Sequence, residues 1–112
     1  MITEHFISGT SNYTLCIGTN KTENWQLLDN SNETNIWFHV FNSSSGYVIL
    51  HTEEAINKIP KNVIRRCAHL CKIRSTSRNM KKCPVMYSQV RNVSKGKHVG
   101  EATVTSWKTV NV

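Results

Sequence analysis

Two neighbouring apolar segments constrain the fold more than any other part of the sequence. The first, IWFHVF, spans residues 36–41, and the second, YVILH, spans residues 47–51. Alternate residues of a strand point to opposite faces of a sheet, and in the first segment both sets are largely apolar. Such a strand is expected in the middle of a sheet that is covered on both sides. The polar segment 42–46, NSSSG, has the composition of a hairpin turn.

The segment 60–74, PKNVIRRCAHLCKIR, predicts the one long helix of the chain. Its apolar residues recur with the period of a helix that buries one face. They are Val63, Ile64, Cys67, Ala68, Leu70 and Cys71. We therefore expect Cys67 and Cys71 to be structural thiols, because a zinc site favours a different cysteine spacing.

Shorter segments complete the predicted fold. Residues 13–19 and the HFIS before them predict a hairpin, and TENWQLLDN predicts a short helix capped by Thr22. Segment 84–90 predicts a strand, and two short strands follow around a turn at Ser106 and Trp107. We expect one α+β domain over residues 1–112, with a mostly antiparallel sheet, one long helix and one short helix.

Charge is distributed very unevenly along the chain. The net charge is +7, but residues 1–56 carry one lysine and six acids, whereas residues 57–112 carry thirteen basic residues and only Glu101. A basic half on a small domain is typical of a protein that binds a polyanion, although an ordinary solvated surface is the alternative. The predicted phosphate-binding residues are Lys61, Arg65, Arg66, Lys72, Arg74, Arg78, Lys81, Lys82, Arg91, Lys95 and Lys97.

Catalytic chemistry is poorly supported by the sequence. His39 stands alone in an apolar strand, and the neighbouring serines suit a turn and lack the setting of a nucleophile. Paired carboxylates and metal-ligand spacing are absent, so no catalytic residue, metal or cofactor is predicted. An enzyme would depend on His39 or Cys16. Trp107 and Tyr87 are candidates for stacking on a base, but packing within the fold is favoured for both.

Cellular location is predicted from two patterns. No apolar run approaches the roughly 20 residues that span a bilayer, and the sequence starting at Met1 lacks a secretory leader, which favours a cytoplasmic protein. The alternative is a secreted glycoprotein, supported by five glycosylation sequons at Asn12, Asn20, Asn32, Asn42 and Asn92.

Six segments, taken in order, resemble a known family. They are NIWFHV (35–40), GYVILH (46–51), KIPKNVIRRCAHL (58–70), CPVMYSQVRNV (83–93), SKGKHVGEATV (94–104) and KTVNV (108–112). Together they resemble the NFACT RNA-binding domain over nearly the whole chain. The likeness is strongest to its small branch, in which a charged coiled coil follows the domain, and the expectation for this chain is the domain without the coiled coil.

This resemblance implies a non-enzymatic module that binds RNA, with tRNA or ribosomal RNA as the expected ligand in translation or ribosome-associated quality control. It also implies DNA binding, which is associated with the small branch. If the basic half instead docks an acidic protein surface, the expected partner is the ribosome or a translation factor. Asn35 stands where the family commonly has Asp, so a salt bridge made by that acid is absent. A protein-interaction module that docks an acidic partner remains the alternative from a different class.

Overall fold

The computed structural model describes every residue from 1 to 112 and shows a six-stranded sheet, a separate two-stranded hairpin and two α-helices. The strands are β1 (Ile2–Ser8), β2 (Ser11–Ile17), β3 (Ile36–Val40), β4 (Val48–His51), β5 (Pro84–Gln89), β6 (Val93–Lys95), β7 (Ala102–Val104) and β8 (Lys108–Asn111). The helices are α1 (Lys21–Asp29) and α2 (Lys61–Ile73). The predicted α+β class, with one long and one short helix, is confirmed.

The central position predicted for the first apolar segment is confirmed. The sheet order is β1-β2-β4-β3-β5-β8, and every neighbouring pair is antiparallel. Strands β3 and β4 pair with each other, with Trp37 opposite Ile49, and both are flanked on their other side by a further strand. Because side chains alternate along β3, Ile36 and Phe38 belong to one core cluster and Trp37 to another.

Helix α2 covers one side of the sheet, which we call the helix face. Its Val63, Cys67 and Cys71 are buried against Ile36 and Phe38 in a continuous apolar core. The buried helix face predicted from the 3.6-residue spacing is therefore confirmed, and it includes both cysteines. α2 begins immediately after Pro60, where the sequence placed the start of the helix.

Helix α1 and the β6–β7 hairpin cover the other side, which we call the hairpin face. Leu27 of α1 and Val93 and Val104 of the hairpin pack there against Trp37 and its neighbours. No strand was predicted for the segment around β6. Three residues with two polar members carry little strand signal, and β6 becomes a strand because β7 pairs with it.

The start of α1 also differs from the prediction. Asn20, and not Thr22, caps the helix, because the Oδ1 atom of Asn20 accepts a hydrogen bond from the backbone N–H of Glu23 at 2.9 Å. Such a cap contributes about 1 kcal/mol to helix stability. Neither helix has the length and apolar character needed to cross a membrane.

Candidate nucleic-acid interface

The fold distributes the predicted phosphate-binding residues over both sides of the large sheet. Lys61, Arg65, Arg66 and Lys72 lie on α2, which covers the helix face. Lys95 and Lys97 belong to the β6–β7 hairpin, which packs on the hairpin face, and Arg91 lies just before it. Arg74, Arg78, Lys81 and Lys82 lie in the connection between α2 and β5. The complete set therefore does not form one patch on one side of the sheet.

Two of these cations are paired with acids from the first half of the chain. The Nε atom of Arg66 donates to Glu4 at 2.8 Å, and hydrogen bonding to Arg66 lowers the pKa of the Glu4 carboxyl. Lys95 lies 2.7 Å from Asp29, and its ammonium group is 5.1 Å from the centre of the Trp25 ring. Both pairs are partly exposed, so they add little stability, but each offsets a charge that a phosphate would otherwise meet.

Two cations of α2 contact the last two residues of the chain. The Nη1 atom of Arg65 donates to the carbonyl of Asn111 at 3.3 Å, and the Nζ atom of Lys72 donates to the carbonyl of Val112 at 3.1 Å. These bonds join the exposed side of α2 to the end of the sheet. Arg65 also lines a shallow groove of about 330 Å³ with Lys61 and Lys108.

Three cations converge on one polar cleft of about 600 Å³. They are Lys21, Arg74 and Arg78, and we call the space that they line the polar cleft. Its other walls include residues 18–20 and 44–46, and no carboxylate lines it. All three residues are exposed, and of their side chains only that of Arg78 makes a hydrogen bond within the protein, a long one to the carbonyl of Ser75 at 3.4 Å. Among the cations of the chain, these three form the clearest candidate surface for an anion.

The wall of the polar cleft depends on two glycines in close contact. The N–H of Gly18 donates to the carbonyl of Tyr47 at 2.9 Å, which brings β2 against the start of β4. A Cβ atom on Gly46 would overlap the carbonyl oxygen of Gly18, and one on Gly18 would overlap the side chain of Asn24. The Oδ1 atom of Asn24 in turn accepts the N–H of Tyr47 at 2.9 Å. Only glycine permits this approach of two backbones.

A second cleft, of about 640 Å³, adjoins the polar cleft on the hairpin face. It is mainly apolar and aromatic, and we call it the aromatic cleft; its walls include Trp37, His39, Phe41, Tyr47, Met86 and Trp107. The two clefts meet at four residues that line both: Lys21, Asn24, Ser44 and Ser45. Aromatic rings beside cations are the elements with which proteins hold single-stranded nucleic acids.

The two candidate stacking residues differ in their surroundings. Tyr87 packs in the fold, as expected, with its ring stacked on Phe38 at a centroid distance of 5.4 Å. The same expectation for Trp107 was wrong, because its side chain is 46% exposed. Trp107 lies in the short connection between β7 and β8, where it lines the aromatic cleft without being enclosed by the core.

His39 belongs to the floor of the aromatic cleft and not to the cationic surface. Its ring stacks on Trp37 at a centroid distance of 5.7 Å and meets Tyr47 edge-on at 5.6 Å. Burial lowers the pKa of His39, so the ring is neutral at pH 7. The hydroxyl of Tyr47 donates to the carbonyl of Gly100, and burial raises its pKa. Both groups therefore hold the cleft in shape in uncharged form.

Comparison with known families identifies the domain. The family described as "NFACT protein RNA binding domain" matches residues 3–105. The chain belongs to this family. The resemblance inferred from the order of its segments is therefore confirmed, and the domain is of a kind that binds RNA.

Two relatives of this NFACT domain are named coiled-coil domain-containing protein 25, which agrees with the small branch expected from the sequence. The protein from Bos taurus is 39% identical over 89 residues, covering 77% of this chain and 43% of the relative. The protein from Mus musculus is 38% identical with the same coverage. This chain thus spans less than half the length of these relatives.

A solved structure has the same fold as this NFACT domain. It is the C-terminal part of the fibronectin/fibrinogen-binding protein from Streptococcus suis, with a TM-score of 0.84 and 18% sequence identity. The match covers 98% of this chain and 45% of that chain. At this level of identity the similarity concerns the fold alone.

Two cleft residues of this NFACT domain were missed in the sequence. Lys21 is the single lysine of the acidic half, so its contribution to a cationic cleft depends on Arg74 and Arg78, which are distant in sequence. Phe41 follows a central strand and reads as part of the core, but it is 39% exposed. The sequence does contain a sign that Phe41 is exposed. Phe41 directly precedes the predicted turn, and residues at the end of a strand are less well covered by the elements that pack on the sheet.

Three polar side chains of the NFACT domain form a chain of hydrogen bonds on the hairpin face. The Oδ1 atom of Asn35 accepts the N–H of Thr52 at 3.3 Å, so its Nδ2 atom donates to Nδ1 of His51 at 3.1 Å. Nε2 of His51 must then carry the proton, and it lies 3.2 Å from the sulfur of Cys16. Because burial also lowers the pKa of His51, this ring donates to the thiol and is not placed to accept the thiol proton.

Asn35→Asp is expected to reverse the direction of the hydrogen bonds that link Asn35, His51 and Cys16. A carboxylate has no proton to donate, so Nδ1 of His51 must carry one, and its Nε2 lone pair then faces Cys16. We expect Cys16 to react with iodoacetamide roughly tenfold faster at pH 7. The rate is read by mass spectrometry of the labelled peptide.

The control is the double variant Asn35→Asp with His51→Gln. In this variant Cys16 should react with iodoacetamide no faster than in the wild type. Cys67, Cys71 and Cys83 are buried and serve as internal references, since they label only when the fold opens. An unchanged Cys16 rate in the single variant would contradict the assigned hydrogen-bond direction.

Proposed function

We propose that this chain is a non-enzymatic module that binds tRNA or ribosomal RNA in the cytoplasm, in translation or ribosome-associated quality control. The proposal rests on one observation above all: Lys21, Arg74 and Arg78 line one cleft that contains no carboxylate. Membership of a family of RNA-binding domains supports RNA as the class of polyanion.

The physical basis is phosphate neutralisation. Exposed arginines without an acidic partner are available for charge-assisted hydrogen bonds to phosphate oxygens. Arg66 and Lys95 already face Glu4 and Asp29, so we assign them a smaller part than the three cations of the polar cleft. Lys61, Arg65 and Lys108 form a second, weaker candidate surface in the groove between α2 and β8.

Salt dependence of RNA binding is the first test. Three phosphate contacts predict that the logarithm of the binding constant falls with the logarithm of salt concentration with a slope of about −2 to −3. The measurement is fluorescence anisotropy of a labelled RNA hairpin at several salt concentrations. A slope near zero would contradict binding through the polar cleft.

Two competitors test the alternative ligands. Polyglutamate imitates an acidic protein surface, and a DNA hairpin of the same sequence carries the same number of phosphates as the RNA. The proposal expects the RNA to be displaced poorly by polyglutamate. Equal competition by polyglutamate would favour a protein-docking module, and tighter binding of DNA than of RNA would favour the DNA-binding alternative.

A further inference from the structure

We propose that the aromatic cleft binds one unpaired base of the RNA while the neighbouring phosphate lies in the polar cleft. This inference rests on the proposed function, because it specifies which part of an RNA the surface takes. The aromatic cleft, at about 640 Å³, falls within the usual size of small-ligand sites. Lys21 and Asn24 line both clefts, so a single nucleotide bound across the boundary meets aromatic rings at one end and cations at the other.

The backbone at the two exposed rings of the aromatic cleft is tied by hydrogen bonds to strand β5. The backbone N–H of Phe41 donates to the carbonyl of Pro84 at 2.9 Å, which ties the start of the Ser-rich turn to β5. The carbonyl of Ser106, next to Trp107, accepts a hydrogen bond from the hydroxyl of Ser88. Because the backbone that carries these rings is already ordered, the ordering cost of stacking a base is limited to the side chains themselves.

Asn24 supplies a hydrogen-bond donor at the boundary between the clefts. Its side chain is almost enclosed, with the residue only 6% exposed. Because its Oδ1 atom accepts the N–H of Tyr47, the amide is fixed in orientation, and its Nδ2 atom donates to no group of the protein. An amide with a fixed and unused donor is a recognition group for an acceptor atom of a nucleotide.

Charge sets the direction in which the nucleotide lies. Glu101 lines the aromatic cleft, whereas Lys21, Arg74 and Arg78 line the polar cleft. A phosphate is therefore repelled from the Glu101 side and attracted to the polar cleft. A base is uncharged, so it can occupy the aromatic cleft, where exocyclic amino groups have a carboxylate as acceptor. A paired base offers no free face for stacking, and the site therefore favours unpaired nucleotides.

The experiment compares two RNA probes with equal phosphate content per strand. One is a single-stranded oligoadenylate of about a dozen nucleotides, and the other is a blunt RNA duplex of the same length. In Trp107→Ala and in Phe41→Ala, we expect affinity for the single strand to fall about 5- to 100-fold and affinity for the duplex to change less than about twofold. Trp107→Phe should retain most of the single-strand affinity, since phenylalanine also stacks.

Ile7→Ala is the matched control, because Ile7 is 69% exposed on β1 and lines neither cleft. Thermal unfolding of each variant checks that the fold is retained. If both aromatic variants bind the single strand as wild type does, while wild-type binding remains salt-dependent, the base site is wrong and the proposed function stands. If the wild type binds neither probe, the proposed function fails and the base site fails with it.

Discussion

Charge reversal at both Arg74 and Arg78 is expected to weaken RNA binding about 100-fold at about 0.1 M salt. The two guanidinium groups line the polar cleft with Lys21, and replacing them by glutamate places two carboxylates where phosphates would lie. Milder substitution by glutamine removes the contacts without repulsion, and the slope of the salt dependence should become shallower by about 1.5. Both effects are measured by anisotropy titrations with a labelled RNA hairpin.

The matched control for this reversal is Lys81→Glu with Lys82→Glu. It changes the net charge by the same amount in the same connection between α2 and β5, but neither lysine lines the polar or the aromatic cleft. We expect a loss of less than about fivefold, from long-range repulsion alone. Equal losses in the two double variants would mean that diffuse charge, and not the polar cleft, drives binding.

A third double variant isolates the exposed side of α2. Arg65→Glu with Lys72→Glu removes the cations that contact the carbonyls of Asn111 and Val112. RNA affinity that is unchanged at moderate salt would remove this helix surface from the interface. A loss as large as that caused by reversal at Arg74 and Arg78 would instead place RNA on the helix face.

Gly46→Ala is expected to lower the free energy of unfolding by roughly 3 kcal/mol or more. Its new methyl group would overlap the carbonyl oxygen of Gly18, and that carbonyl is backbone between β2 and α1, so a side-chain movement cannot relieve the clash. A small domain has a total stability of about 5–15 kcal/mol, so the loss is a large share of it. Urea unfolding followed by circular dichroism measures the change.

Gly9→Ala is the comparison for this effect. Gly9 has a positive φ of 60° but no atom within 4 Å of an added Cβ, so its substitution tests conformational strain without a clash. We expect a loss of about 1 kcal/mol. If Gly46→Ala proved no more harmful than Gly9→Ala, the close approach of the two backbones would not be required for stability.

The elements of secondary structure were largely predictable, since their signals are local. The period of two in residues 36–41 and the helical period in residues 60–74 each describe how one element divides its side chains between two sides. In the structure, β3 spans Ile36–Val40 and α2 spans Lys61–Ile73, which is close to the predicted ranges. Strand β6 and the Asn20 cap were missed because a three-residue strand and a capping choice carry weak local signals.

The composition of the candidate site was only partly predictable. Arg74 and Arg78 were among the predicted phosphate-binding residues, but nothing distinguished them from Arg66 or Lys95, which are paired with acids in the structure. Trp107 was considered for stacking but was expected to be packed. Its exposure depends on how far α1 and the β6–β7 hairpin extend over the hairpin face, which is decided by the packing of several elements together.

The sequence by itself determined the kinds of elements, the buried side of α2, the central position of β3, the charge imbalance and the family. These follow from side-chain chemistry repeated at short intervals, which each element expresses independently of its neighbours. Only the tertiary structure decided that Lys21 meets Arg74 and Arg78, that other cations face acids, and that Trp107 borders an open cleft. Periodicity states which way a side chain points from its own helix or strand, whereas its partner depends on contacts between segments far apart in the chain.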